Sequence, residues 1–218
     1  MNNYIKGEIN IEEEDINKDI RIINSLEEEI YKKTNRPFKD INEITNYCEI
    51  SINNFKIGFS YFQKFEKPGK YDIIYSFSKL LTNTSYMFFG CDKLISLDFS
   101  NFKTEKVTAM ICMFKGCISL KNLNVSNFNT ANVKDMDLMF SCCESLIELD
   151  LSSFQTPNLT ESILGMFERC KSLKKLNLAN FNAEKVMDYE DLFSGCVSLK
   201  KENLICNDQR VLSSINYI

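Results

Sequence analysis

Five cysteines, Cys91, Cys117, Cys143, Cys170 and Cys196, stand 26, 26, 27 and 26 residues apart, and the residues around them recur in phase. Each follows an apolar pair: Met87-Phe88, Met113-Phe114, Met139-Phe140, Met166-Phe167 and Leu192-Phe193. A leucine comes three residues after each cysteine (Leu94, Leu120, Leu146, Leu173, Leu199). Then follow Leu97/Phe99, Leu123/Val125, Leu149/Leu151 and Leu176/Leu178, and a phenylalanine at Phe102, Phe128, Phe154 and Phe181. A repeat of this length cannot bury its apolar face alone, so it must stack on its neighbours.

The spacing within one repeat predicts its path. Leu-x-x-Leu-x-Leu ends in strict alternation, as in a short strand with one buried face. The apolar residues of Met-Phe-x-x-Cys lie three or four apart, which suits a turn of helix on the opposite side. The expected architecture is an α/β solenoid. It would hold about five 26-residue coils, with a parallel sheet on the concave face roughly 24 Å long.

The best-formed unit runs Cys117-Ile-Ser-Leu-Lys-Asn-Leu-Asn-Val-Ser-Asn-Phe-Asn-Thr-Ala-Asn-Val133 and on to Met136 and Met139-Phe140. This pattern resembles the BspA-like leucine-rich repeats of surface proteins in bacteria and in anaerobic or parasitic protists. The resemblance covers about Leu81 to Leu204. It implies a leucine-rich-repeat fold and adhesion or protein binding at cell surfaces.

Residues 1–80 do not repeat and read as a small α+β capping domain ahead of the repeats at 81–204. Strands are expected at Gly7–Ile11, Asp19–Asn24, Glu49–Ile52, Phe55–Ile57 and Tyr71–Phe77, with Asn53-Asn54 as a tight hairpin turn. Ser25-x-x-Glu28 is a capping box opening a helix over Leu26–Lys33, and Phe38, Ile41, Ile44 and Tyr47 have the spacing of a second. Tyr71–Phe77 lies one period before the Leu97/Phe99 strand and is expected beside it in the sheet. Beyond the repeats, Glu202 and Asn207 stand where leucine and phenylalanine recur, while Leu212, Ile215 and Ile218 keep the apolar phase. Residues 205–218 read as a closing half-coil or as the place where a longer array is cut.

Composition narrows the chemistry. No histidine is present, which removes the commonest general base and metal ligand. Seven glycines include no phosphate-cradling run. With 26 basic against 30 acidic residues, net charge −4, there is no concentrated basic face for nucleic acid. No run approaches the roughly 18 apolar residues of a membrane helix. The N-terminus has no apolar signal core and turns acidic at Glu12-Glu13-Glu14-Asp15. As written, that places the chain in the cytoplasm; a surface or secreted location is the alternative the resemblance implies.

The cysteines in register are expected to be reduced, buried and structural. Cys142 takes the place of Gly90, Gly116 and Gly195, and is the thiol expected to be exposed. Cys142-Cys143 lacks zinc spacing, and no histidine could activate a cysteine nucleophile, so no metal, cofactor or catalytic site is expected. An Asp/Asn row could in principle hold calcium, but ligands in one line do not enclose an ion. Asn83, Asn124 and Asn158 open Asn-x-Ser/Thr sequons, which this asparagine-rich chain would contain by accident.

What remains is the outward side of the strands. Asp98, Asn124, Asp150 and Asn177 form one row; Asn122, Glu148 and Lys175 precede it, and Ser100, Ser126 and Ser152 follow. These residues are the expected partner-binding face. The function expected is non-enzymatic protein binding or scaffolding, with a glycan as the other ligand class such a face admits. Cell-surface adhesion is the alternative.

Overall fold

The computed structural model describes residues 3–34 and 43–215; the expected helix positions Phe38 and Ile41, and Ile218 of the expected closing half-coil, lie outside them. In chain order the elements are β1 (Tyr4–Ile11), β2 (Ile20–Arg21), α1 (Leu26–Thr34), α2 (Glu43–Tyr47), β3 (Cys48–Ile52), β4 (Phe55–Lys56), β5 (Phe62–Gln63) and β6 (Gly69–Phe77). The repeat region adds β7 (Leu94–Asp98), β8 (Asn122–Asn124), β9 (Glu148–Asp150), β10 (Lys175–Leu178) and β11 (Leu204–Cys206), and α3 (Gln209–Ser214) follows.

These strands do not make the single parallel sheet expected of a leucine-rich-repeat solenoid. They fall into three sheets: β4-β3-β6-β1-β7-β8, β11-β10-β9, and β2-β5. Two departures explain this. First, β6 does not lie beside β7. β1 sits between them, antiparallel to both, with Tyr4 opposite Ser76 and Lys6 opposite Asp98. A β-bulge at Glu8/Ile9 adjusts its register to β7. Gly7 fits there because a Cβ would stand 3.3 Å from the Leu97 side chain. Second, β7 pairs in parallel with β8, and β10 with β9 and β11, but among the described residues no strand pairing joins β8 to β9. The fold is therefore sheet-rich and mixed, with three short helices among the described residues, and is not the expected α/β solenoid.

The side opposite the strands is also not helical. Two residues in each repeat have left-handed backbone. One set is Tyr86, Cys112, Leu138, Gly165 and Asp191, and the other is Gly90, Gly116, Cys142, Arg169 and Gly195. A right-handed helix cannot pass through such residues. Instead the chain forms tight turns whose alternate N–H groups donate to the next repeat. Phe88, Phe114, Phe140 and Phe167 N donate to the carbonyls of Met113, Met139, Met166 and Leu192 at 2.9, 2.9, 2.9 and 3.0 Å. Apolar spacing of three or four suits a helix and these turns alike, because it reports only which side chains turn inward, not the sign of φ. The extra residue in the third interval is absorbed where the N–H groups of Thr160 and Glu161 both reach the Lys134 carbonyl.

Arg169 has φ +57 and an exposed side chain, at a position that is glycine in three other repeats. Glycine there relieves a left-handed penalty of about 1–2 kcal/mol, less the entropy glycine loses on folding. Arg169→Gly is expected to raise the unfolding free energy by about 1 kcal/mol in urea titration.

Inside, the rings stack in register. Phe114, Phe140, Phe167 and Phe193 form a column with centroids 5.4, 5.6 and 5.6 Å apart and near-parallel planes. The register cysteines are buried free thiols. Cys117, Cys143, Cys170 and Cys196 Sγ donate to the carbonyls of Phe88, Phe114, Phe140 and Phe167 at 3.1, 3.2, 3.1 and 2.9 Å. A small apolar residue with one weak donor suits a position that faces both core and backbone.

The N-terminal region is tied to the first repeat by buried polar contacts. Asn24 is fully buried. Its backbone N–H donates to Met87 O at 2.7 Å, and its side-chain amide donates to Phe89 O at 3.0 Å. Met113 and Lys115, the equivalent residues one repeat later, accept from Phe88 and Gly90. One asparagine thus stands in for the donors of a preceding repeat. The hairpin turn Asn53-Asn54 has φ +48 and +68, as a two-residue turn between twisted strands requires. Ser25 caps α1 through Glu28 N → Ser25 Oγ at 3.1 Å.

A polar sheet face as candidate binding site

Strand alternation turns Leu97, Leu149 and Leu176 inward, where they are buried. The same alternation leaves Asn122, Asn124, Glu148, Asp150 and Lys175 exposed and Asp98 and Asn177 half-buried. Ser100 and Ser126 are exposed and Ser152 is half-buried. All ten expected face residues therefore reach solvent, but they divide between two sheets. Asp98, Ser100, Asn122, Asn124 and Ser126 belong to β7-β8 and the turns after them. Glu148, Asp150, Ser152, Lys175 and Asn177 belong to β9-β10.

The Asp/Asn row has a local duty. Asp98 Oδ1 accepts from Ser100 N at 3.0 Å, Asn124 Oδ1 from Ser126 N at 3.1 Å, Asp150 Oδ1 from Ser152 N at 2.9 Å, and Asn177 Oδ1 from Ala179 N at 3.1 Å. Each closes a turn at the end of its strand, which is why short Asp or Asn recurs there. Asn124 Nδ2 also donates to Asp98 Oδ1 at 2.9 Å. Much of this row's hydrogen-bonding capacity is spent within the fold. The preceding column is freer: among the described residues its side chains are linked by the exposed Lys175–Glu148 ion pair at 2.7 Å, a contact of small energetic weight.

The break between the two sheets shapes the face. Leu123 is only partly buried, unlike Leu97, Leu149 and Leu176 in the same register. A hollow of about 440 Å³ lies over Leu123 and Asn122 and extends to Glu148. A second, of about 320 Å³, runs from Glu148 past Lys175 to Ile205, whose side chain is 58% exposed. Glu148 is the wall they share. Sequence reasoning placed the charged and amide residues but gave no sign of the apolar floor, because Leu123 carries the same repeat signature as its buried counterparts.

Among the described residues no group of three or more His, Cys, Asp or Glu side chains is placed to hold a metal ion. Burial pushes the thiols of Cys91 and Cys143 well above their usual range, and the hydrogen bond with Cys196 together with burial does the same to Cys170. Cys142 is half-exposed, as is Cys206, whose thiol burial pushes up. Brief treatment of the native protein with a maleimide is expected to label Cys142 first and to leave the five register cysteines untouched, read by peptide mass spectrometry.

On the opposite side, partial burial together with nearby Asp137 and Glu161 raises the Asp135 carboxyl to about 6. The folded protein then holds a proton that the unfolded chain releases near 4, so this residue weakens stability as pH rises between about 4 and 6. Asp135→Asn is expected to flatten that part of the stability profile, measured by urea unfolding at successive pH values.

Residues 82–205 match the family model described as Mycoplasma protein of unknown function, DUF285. That span is more than half of the chain and takes in all five repeat cysteines. The chain belongs to this family. Comparison with curated proteins and with solved structures gave no match. The DUF285 span begins at Thr82, ends within β11 and leaves β1 through β6 outside it. Among the described residues no helix is long and apolar enough to cross a membrane.

Proposed function

We propose that this DUF285 chain is a non-enzymatic protein-binding module that takes its partner on the polar sheet face, centred on Glu148. The observation that carries the reading is the pair of hollows meeting at Glu148, floored by a partly exposed Leu123 and rimmed by Asn122 and Lys175. An apolar floor inside a polar rim is the composition of protein interfaces, whereas a uniformly hydrated sheet face would offer no anchor. The charge pair Glu148–Lys175 is exposed and free to exchange partners at little cost.

The test uses residues without a duty in the turns. A variant carrying Asn122→Ala, Leu123→Ala, Glu148→Ala and Lys175→Ala is compared with the wild type in crosslinking capture from source-cell lysate and medium, with thermal melting of both as the control for folding. A partner captured by the wild type and lost by a folded variant supports the reading. A partner retained by both overturns it.

Surface attachment is the second reading, favoured by the family match to a group of Mycoplasma proteins and by the repeat's resemblance to BspA-like surface proteins. Protease shaving of intact source cells separates the two locations: cleavage of the chain supports surface display, and full protection rejects it.

A further inference from the structure

The two ends of the repeat stack are finished differently. At the first repeat, the outward carbonyls of Met87 and Phe89 are occupied by Asn24. At the last repeat, the complementary donors are left open. In earlier repeats the N–H groups at these four positions donate onward: those of Thr84, Tyr86, Phe88 and Gly90 go to Ala109, Ile111, Met113 and Lys115 at 3.2, 2.8, 2.9 and 2.8 Å. The equivalent groups in the last repeat belong to Tyr189, Asp191, Phe193 and Gly195. Among the described residues none of these four has a hydrogen-bond acceptor. Four alternate N–H groups facing one way make an unpaired backbone edge.

That edge borders an open groove of about 790 Å³, between Met187–Ser194 on one side and Ser213 and Ser214, the last residues of α3, on the other. Three carboxylates line it, Asp188, Glu190 and Asp191, and none has an ion pair among the described residues. The residues one repeat earlier in the columns of Asp188 and Glu190 are Ser162 and Leu164, and the next acids in these columns, Asp135 and Asp137, lie two repeats back. Arg210, the cation of α3, donates to Ala183 O and Glu184 O and lies over the ring of the groove residue Tyr189 at 4.4 Å, without an ion pair to the three carboxylates.

We infer that this groove accepts a basic peptide segment of another polypeptide. The segment lays alternate carbonyls on Tyr189, Asp191, Phe193 and Gly195 and places lysine or arginine against Asp188 and Glu190. Backbone pairing supplies the affinity and the carboxylates the selection. A second copy stacked end to end does not fit, because the acceptors it would bring, Met87 O and Phe89 O, already serve Asn24. The site is distinct from the sheet face around Glu148 and does not depend on it.

The test is amide hydrogen exchange with the full chain and an acetylated octapeptide. The probe carries lysine at positions 1 and 3 and glycine at positions 4 and 8, where the repeats turn left-handed, with alanine elsewhere. A control peptide has glutamate in place of lysine. In the free protein the amides of Tyr189, Asp191, Phe193 and Gly195 are expected to exchange at least tenfold faster than those of Phe114 and Phe140. The lysine peptide is expected to slow those four and to bind at least tenfold more tightly than the control. Glu190→Lys with Asp191→Asn, both exposed positions, is expected to remove that preference while melting is unchanged. Slow exchange of the four amides without peptide would show an acceptor already present, from the chain itself or a second copy, and would overturn the inference. Equal binding of both peptides, or binding that leaves these amides unprotected, would overturn it too.

Discussion

Phe140→Ala is expected to lower the unfolding free energy by about 3–5 kcal/mol, the range for truncating a fully buried aromatic side chain. Phe140 has no exposed surface and stacks on Phe114 at 5.4 Å and Phe167 at 5.6 Å, so its removal opens a cavity in the middle of the ring column. Relaxation is restricted on both sides. The Phe140 N–H is fixed to Met166 O at 2.9 Å, and its carbonyl takes the Cys170 thiol at 3.1 Å. A repeat stack is held by nearest-neighbour interfaces, and one truncation here weakens two of them. Urea unfolding followed by tyrosine fluorescence and by far-ultraviolet circular dichroism gives the size. A loss below about 1 kcal/mol would mean that the column carries little of the stability.

Asn24→Ala is expected to cost about 3 kcal/mol, although it removes only one small amide. Its side chain serves three groups: it donates to Glu29 Oε1 at 2.9 Å and Phe89 O at 3.0 Å, and accepts from Ser25 N at 2.8 Å. Truncation leaves the Phe89 carbonyl and the Ser25 N–H without partners where water has little access, at about 1–3 kcal/mol per group. Glu29 is affected as well. Burial acts against its charge, and hydrogen bonds from Lys32 and Asn24 outweigh this to hold its carboxyl below the usual range. The expected signature is local. Amide exchange should accelerate in the N-terminal region and the first repeat, where Asn24 joins them, more than around Phe193. Uniform acceleration along the stack would argue that Asn24 is simply part of one cooperative core.

The residues that carry these two predictions differ in how far the sequence announces them. Phe140 is plain in the repeat: its phase with Phe88, Phe114, Phe167 and Phe193 requires a stacked interior position. Asn24 is one asparagine among many, at the end of the strand expected over Asp19–Asn24. Its role depends on meeting Met87 and Phe89 across more than sixty residues of chain. The candidate site divides in the same way. Strand alternation was enough to turn Asn122, Glu148 and Lys175 outward. The partial exposure of Leu123 and the open donors of the last repeat arise from pairings that are not made, and a missing hydrogen bond leaves no residue type behind.

The sequence alone determined the period, the inward phenylalanines and cysteines, the short strands of each repeat and the polar character of their outer face. All of these follow from side-chain periodicity within a few residues. Tertiary structure alone decided that β1 enters antiparallel between β6 and β7, that the strands divide into three sheets, and that left-handed turns replace the expected helical segments. Periodicity records which face of the chain is apolar; it does not record which backbone groups find one another, and strand order and the sign of φ are settled by that pairing.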